Sequence, residues 1–98
     1  MTPEFEWDEK KANENLKKHQ VAFDEGLTLF ADPLARIFDD PDHSEDERRE
    51  LIIGHSANQR LLLVSFIERG PRARIIGARE ATAHERRDYE ENTHNTKT

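Results

Sequence analysis

The first predicted helix brings together cationic, amide and imidazole side chains that could bind a phosphate group. Three of them lie at positions i, i+4 and i+7, and therefore on one helix face: Lys11, Asn15 and Lys18. The neighbouring stripe, which we expect to face the core, contains Ala12, Leu16 and His19. Histidine can titrate near neutral pH, so this cluster could combine phosphate binding with proton transfer. Spacing alone favours the structural alternative, a solvated lysine face ending in a packed histidine.

A second cluster consists of arginines in the part of the chain that is predicted to form strands: Arg60, Arg69, Arg72, Arg74 and Arg79. Arginine suits phosphate because its planar fork donates two parallel hydrogen bonds and keeps its charge. Arg72 and Arg74 have the same parity and should project from one sheet face, whereas Arg79 has the opposite parity. Spacing alone favours a polar outer sheet face, ion-paired with the acidic half of the chain.

Together these residue types match the needs of RNA cleavage without a metal ion. A base must remove the 2′-hydroxyl proton, cations must stabilise the developing charge, and an acid must protonate the leaving oxygen. His19 could act as base or acid, and the arginines and lysines could stabilise charge. No cofactor and no metal are expected. The aspartates near His43 lack a calcium-loop pattern, and no pair of histidines has ligand spacing.

Net charge argues against a nucleic-acid ligand, but the charges are unevenly distributed. The 98 residues carry a formal charge of −6, and residues 1–50 contain 7 Lys and Arg against 15 Asp and Glu. Residues 51–79 contain five arginines and one glutamate. Because local potential decides whether a phosphate can approach, an acidic protein can still present a basic face.

The first half of the chain predicts one strand, two helices and a further strand. A short strand is expected at Phe5–Trp7, with both aromatic rings on one face. Asp8 should cap a helix that ends near His19. A second helix spans Val21 to Phe30, includes the unfavourable Gly26, and ends at Asp32-Pro33. Arg36–Phe38 could form a strand before an acidic loop at residues 39–47.

The second half predicts three antiparallel strands and a last helix. The strands are expected at Glu50–His55, Arg60–Glu68 and Arg72–Ala78, and the almost wholly apolar second one should be central. Thr82 and Glu85 fit a capping box that begins the helix. The fold class is therefore α+β, with helices packed on one face of an antiparallel sheet. Residues 1–91 should form one domain and residues 92–98 a polar, flexible tail.

The composition also predicts a cytoplasmic protein. The chain has no cysteine, which excludes disulfides and thiolate metal sites and fits a reducing compartment. No apolar run approaches the ~20 residues that span a bilayer, and the N-terminus lacks the regions of a signal peptide.

The ordered set of these residues resembles the BrnT toxin family, which has a RelE-like ribonuclease fold. The resemblance runs over residues 4–91 and rests on these segments: Phe5-Glu6-Trp7-Asp8, Lys11, Asn15, Lys18-His19, Val21, Phe23, Arg49, Ile53-Gly54, Arg60-Leu61-Leu62, Phe66, Glu68-Arg69, Arg74-Ile75-Ile76, Ala78-Arg79, Ala81-Thr82, Glu85-Arg86-Arg87 and Tyr89-Glu90. Each segment alone is weak evidence for the resemblance, but the order of the segments and the gaps between them agree with the family pattern.

The resemblance implies an endoribonuclease toxin that blocks translation. A BrnA-like antitoxin would cover its active site, and the complex would bind promoter DNA only through that antitoxin. A dimer within the complex is compatible with the resemblance, and no membrane contact is implied. By the same analogy the catalytic residues are Lys18, His19, Arg69 and Arg79. Residues expected to bind RNA phosphates are Lys11, Asn15 and Arg74.

The chain departs from the family pattern at three positions. Gln20 replaces a common glycine and Ala22 a common serine, while Gly77 replaces a frequent serine. The glycine would have favoured a left-handed helix end, and the serine at position 22 would have capped the second helix. A decayed or non-catalytic toxin-fold module that acts on a protein target therefore remains the alternative.

Overall fold

A computed structural model describes residues 4–40 and 48–95. Five strands, three helices and one 3₁₀ turn follow each other along this part of the chain: β1 (Glu4–Glu6), α1 (Glu9–His19), α2 (Phe23–Leu27), the 3₁₀ turn (Thr28–Ala31), β2 (Arg36–Asp39), β3 (Arg49–His55), β4 (Leu61–Arg69), β5 (Arg72–Glu80) and α3 (Ala83–Asn95). The predicted α+β class is confirmed, and most element ends agree with the sequence prediction within two residues.

The strands form one sheet in the order β1-β5-β4-β3-β2. β2, β3, β4 and β5 are antiparallel, whereas β1 lies parallel to β5 and pairs with its first three residues. β4 is central, as its apolar sequence predicted. The sheet is therefore wider than a three-stranded meander, because the two short predicted strands both join its edges.

The two faces of the sheet carry two separate cores. Ile52, Leu62 and Val64 pack with Phe23 and Leu29 on the face covered by α2 and the 3₁₀ turn. Their neighbours of opposite parity on β3 and β4 instead pack with Tyr89 of α3: Ile53, Leu61 and Leu63. The prediction that the helices share one face was wrong, because Tyr89 lies on the opposite face from the N-terminal helices.

Helix α1 begins where the sequence predicted and turns a different stripe inward. The Asp8 side chain accepts a hydrogen bond from the Lys10 amide at 2.9 Å, which confirms the predicted cap. Ala12, Asn15 and His19 are the α1 side chains that are not exposed, whereas Leu16 is 47% exposed. The expected core stripe was therefore wrong at Leu16. Asn15 takes the inward position because its amide binds the backbone of β5.

The junction from α1 to α2 keeps a tight geometry without the residues that usually form it. Gln20 adopts the left-handed conformation, with φ 59° and ψ 35°, and its amide donates to the Leu16 carbonyl. This costs a side-chain-bearing residue about 1–2 kcal/mol relative to glycine. Ala22 caps α2 with no side-chain hydrogen bond. α2 therefore depends on packing, as expected from its sequence.

Gly26 allows that packing to be close. A Cβ atom at this position would lie 3.1 Å from Cγ2 of Val64 and 3.5 Å from Cβ of Ala78. The residue that weakens α2 locally thus lets the helix approach the sheet.

A β-bulge in β5 reverses the predicted direction of Arg79. Ser65 of β4 lies opposite Gly77, but the next β4 residue, Phe66, lies opposite Ile75, so that Ile76 is an extra residue. Arg79 lies opposite Leu63 and Arg74 opposite Ile67, and these two β4 residues share one face. The parity argument was therefore wrong, because the bulge puts Arg79 on the same face as Arg74.

Some sequence predictions concern the ends of the described ranges. Helix α3 continues to Asn95, beyond the predicted domain end at residue 91. Residues 41–47 of the acidic loop and residues 96–98 of the tail lie outside the described residues. The longest helix in the described ranges has 13 residues, fewer than the ~20 apolar residues that a helix needs to cross a bilayer.

The contact at Gly26 gives a first prediction. Gly26→Leu should push α2 away from Val64 and Ala78, and lower the free energy of unfolding by about 3 kcal/mol. Ala31→Leu, at an exposed position in the adjoining 3₁₀ turn, should change it by no more than about 0.5 kcal/mol. Urea denaturation of the three proteins measures both effects. Equal stability of the two variants would contradict the packing role of Gly26.

Candidate active site

An open pocket lies on the sheet face opposite α2, beside the C-terminal end of α1. Its volume is about 320 Å³, within the ~300–1,000 Å³ range of ligand pockets. It is lined by polar and apolar side chains from α1, β3, β4 and β5, and by Asp40: Asn15, His19, Asp40, Arg49, Leu51, Leu63, Ser65, Gly77, Ala78 and Arg79. The pocket thus brings together three of the residues predicted from the sequence: Asn15, His19 and Arg79.

Asn15 fixes α1 to the edge of β5. Its Nδ2 donates to the Ala78 carbonyl at 2.8 Å and to the Val21 carbonyl at 2.9 Å. Its Oδ1 accepts from the Ala78 amide at 3.2 Å. β1 pairs with residues 72–74 of β5, and Asn15 provides a donor and an acceptor to the same strand further along. This side chain therefore places His19, one turn away, at the rim of the pocket.

Arg79 is held by the first turn of α3. Its Nη1 and Nη2 donate to Oε1 and Oε2 of Glu85 at 2.8 and 2.9 Å, and Nη1 also donates to the Glu80 carbonyl at 3.2 Å. The hydrogen bonds from Arg79 lower the pKa of Glu85 to about 2, and those to Glu85 raise the pKa of Arg79. Both groups are therefore charged throughout the physiological pH range.

Glu85 also closes the predicted capping box. Its Oε1 accepts from the Thr82 amide at 2.9 Å, and its own amide donates to Thr82 Oγ1 at 3.1 Å. One carboxylate thus starts α3 and orients a pocket arginine. The sequence predicts only the capping role of Glu85, because its contact with Arg79 depends on the bulge in β5.

Arg49 and Ser65 were not among the predicted site residues. Arg49 has the same parity as Leu51 on β3, and Ser65 the same parity as Leu63 on β4, so all four reach the pocket face. That parity is the sequence signal that could have identified them. Ser65 lies opposite Gly77, and a Cβ atom at Gly77 would be 3.0 Å from its hydroxyl. Ser65 therefore supplies a hydroxyl on the pocket face beside Gly77.

The other predicted site residues lie outside the pocket. Lys11 and Lys18 are exposed on α1, and Arg69 is the exposed last residue of β4. Arg74 shares the pocket face, but its Nε donates to Glu6 Oε2 at 3.1 Å. That hydrogen bond, followed by one from Arg72, lowers the pKa of Glu6.

The Arg60 side chain lies outside the pocket and is hydrogen-bonded to two carboxylates. Its Nε donates to Glu25 Oε2 at 3.0 Å, and its Nη1 donates to Glu80 Oε2 at 3.2 Å. The same Glu25 oxygen accepts from the buried Ser56 hydroxyl at 2.7 Å. The bonds from Arg60 hold the pKa of Glu25 below its ordinary value. Arg72, Arg74 and Arg79 also pair with carboxylates.

Tyr89 packs α3 against the sheet, one helical turn beyond Glu85. Its ring is 4% exposed, and its hydroxyl donates to Asp32 Oδ2 at 3.3 Å. Burial, followed by the Asp32 charge, raises the pKa of Tyr89. Among α3 residues 83–92, only Glu85 and Tyr89 are not exposed, and they lie four residues apart on one helix face.

A search of the described residues finds no group of three or more histidine, aspartate or glutamate side chains that could hold a metal ion. The ionisable side chains that line the pocket are those of His19, Asp40, Arg49 and Arg79.

The fold and the pocket together define a small α+β protein with a polar pocket, lined by histidine and arginine side chains, on one sheet face. The structure is similar to the crystal structure of the Brucella abortus ribonuclease toxin, BrnT, with a TM-score of 0.64 and 24% sequence identity. This match covers 83% of the present chain and 99% of the Brucella chain. Among curated proteins, no sequence matches the chain.

The family model of the ribonuclease toxin BrnT of type II toxin–antitoxin systems matches residues 7–85. The chain therefore belongs to the BrnT family.

Asn15 gives a prediction about how the site is assembled. Asn15→Ala removes three hydrogen bonds to backbone groups and should lower the free energy of unfolding by about 1–3 kcal/mol. Asn13→Ala, at an exposed position on the same helix, should change it by less than about 0.5 kcal/mol. Urea denaturation measures the difference between the two variants. A similar loss in both would show that Asn15 does not hold α1 to β5.

Glu85 gives a prediction about pH. Because its pKa falls from 4.5 to about 2 on folding, its stabilising contribution is present above pH 4.5 and is lost as pH falls towards 2. A shift of that size corresponds to about 3 kcal/mol, which partial exposure reduces to about 1–2 kcal/mol. Wild type should be more stable than Glu85→Gln by this amount at pH 7, and the difference should vanish near pH 2. A pH-independent difference in unfolding free energy would contradict the ion pair.

Proposed function

We propose that this protein is an endoribonuclease toxin that cleaves RNA without a metal ion and thereby inhibits translation. The observation that supports the proposal best is the pocket itself, in which His19 and Arg79 lie with Arg49 around one open cavity. An imidazole next to two guanidinium groups has the residue types that a phosphodiester transfer requires. Membership of a ribonuclease toxin family supports the same chemistry.

The proposed reaction starts from the 2′-hydroxyl of the RNA. As its proton is removed, the 2′-oxygen forms a bond to phosphorus, the bond from phosphorus to the 5′-oxygen breaks, and that oxygen receives a proton. His19 carries out one of these proton transfers. Arg79 and Arg49 donate hydrogen bonds to the non-bridging oxygens and stabilise the additional negative charge of the transition state.

The residues outside the pocket are assigned to RNA binding at a distance from the cleaved bond. Lys18 and Lys11 provide exposed positive charge along α1 and Arg69 does so at the end of β4, whereas Arg74 would reach RNA from its hydrogen bond with Glu6. Exposed cations of this kind attract phosphates in a salt-dependent way. Asn15 contributes by holding the pocket together.

Membership of a type II toxin–antitoxin family supports a proposal about how the activity is regulated. We propose that a BrnA-like antitoxin covers the pocket, and that promoter DNA is contacted only through this antitoxin. Toxin and antitoxin would then form a cytoplasmic complex, with up to two toxin chains, in which the pocket is closed to RNA.

The first test is cleavage of purified total RNA in the presence of EDTA. Wild type should cleave, whereas Arg79→Ala and His19→Ala should be slower by at least about 100-fold, the usual cost of losing charge stabilisation or a proton-transfer group. Arg48→Ala is the matched control, because this side chain is 79% exposed and pairs with Asp39. It should cleave at the wild-type rate.

The ion pairs that Arg60, Arg72, Arg74 and Arg79 form with carboxylates favour a second candidate, a non-catalytic module that binds a protein target. That candidate predicts no cleavage by folded wild-type protein, either of free RNA or of RNA on translating ribosomes. It also predicts growth inhibition that survives His19→Ala. Cleavage that depends on EDTA-sensitive metal would contradict the metal-independent mechanism alone.

A further inference from the structure

Glu85 restricts how Arg79 can meet a substrate. An arginine side chain has five N–H donors. In Arg79 both Nη1 hydrogens are engaged, one by Glu85 and one by the Glu80 carbonyl, and one Nη2 hydrogen is engaged by Glu85. The remaining donors are Nε–H and the second Nη2 hydrogen, which lie side by side on one edge of the guanidinium plane. This edge keeps the two-donor fork that fits two phosphate oxygens.

Because Glu85 neutralises Arg79, the role of Arg79 depends more on the orientation of its guanidinium group than on its charge. Because the carboxylate keeps its negative charge down to about pH 2, the pair has no net charge wherever the protein works. Arg79 therefore adds little to the long-range attraction of RNA. Its contribution depends instead on where its free edge points, and Glu85 sets that direction through two parallel hydrogen bonds.

Helix α3 holds Glu85 in place. Tyr89, one turn further on, packs against Ile53, Leu61 and Leu63, and its hydroxyl is bonded to Asp32. The capping bonds to Thr82 fix the carboxylate from the other side. The orientation of the guanidinium is therefore determined by a side chain that is itself anchored at both ends.

We infer that Glu85 is a positioning residue for RNA cleavage, which holds Arg79 so that its Nε–Nη2 edge contacts the phosphate that reacts. This inference rests on the proposed ribonuclease function. The alternative role for the same contact has the opposite effect on the cleavage rate. In that role Glu85 competes with RNA for Arg79 and slows cleavage.

Glu85→Gln separates these roles, because glutamine keeps the capping box but removes the charge that locks the guanidinium. Asp88→Asn is the matched control, since it makes the same acid-to-amide change at an exposed position of α3 that pairs with His84, and leaves the capping box and both Arg79–Glu85 bonds in place. Initial rates on a short RNA at several concentrations, well below the melting temperature of each variant, give kcat and KM. Positioning predicts that Glu85→Gln lowers kcat about tenfold or more with KM within about threefold, while Asp88→Asn keeps the wild-type kcat.

A double-mutant cycle distinguishes positioning from general damage. Arg79→Lys keeps the positive charge but has no fork for Glu85 to orient. Glu85→Gln should therefore change kcat by less than about threefold in the Arg79→Lys background. An equal drop in both backgrounds would overturn the inference, as would a Glu85→Gln variant that cleaves as fast as wild type or faster. If wild type and Asp88→Asn are folded but cleave no RNA, the proposed function itself fails.

Discussion

The single extra residue in β5 is the constraint on which the site depends. Without the bulge at Ile76, regular alternation would turn Arg79 towards the core beneath α2, and Ala78 towards the open face. With the bulge, Ala78 is buried beside Gly26 and Arg79 faces Leu63. Core and pocket therefore require the same local irregularity, so its loss would disturb packing and chemistry together.

Signals that are local in the chain predicted most of the fold. Asp8, the Thr82–Glu85 capping box and the apolar run of β4 each define an element through neighbours a few residues away, and all three were confirmed. The site was predicted only in part, because its geometry depends on pairing between distant segments. Asn15 binds Ala78, 63 residues further on, and no periodicity within α1 indicates this contact.

The charge pattern shows a related limit of sequence reasoning. Five arginines against one glutamate in residues 51–79 indicate a basic surface, yet carboxylates from both halves of the chain neutralise most of them. Glu6 meets Arg74 because β1 lies beside β5, and Glu25 meets Arg60 because α2 lies near the turn before β4. Local composition therefore overstated the cationic surface, because it does not show which carboxylates the fold brings beside these arginines.

The parallel pairing of β1 with β5 has a consequence for the order of folding. β1 pairs with residues Arg72 to Arg74 of β5. It therefore cannot dock on the sheet until β5 has been synthesised. The pocket has the same requirement, because α1 supplies His19 while β5 and α3 supply Arg79 and Glu85. On the ribosome, the hairpin of β3 and β4 can form early, since its contacts are local. A growing chain therefore has no complete pocket until β5 and Glu85 have both left the ribosome.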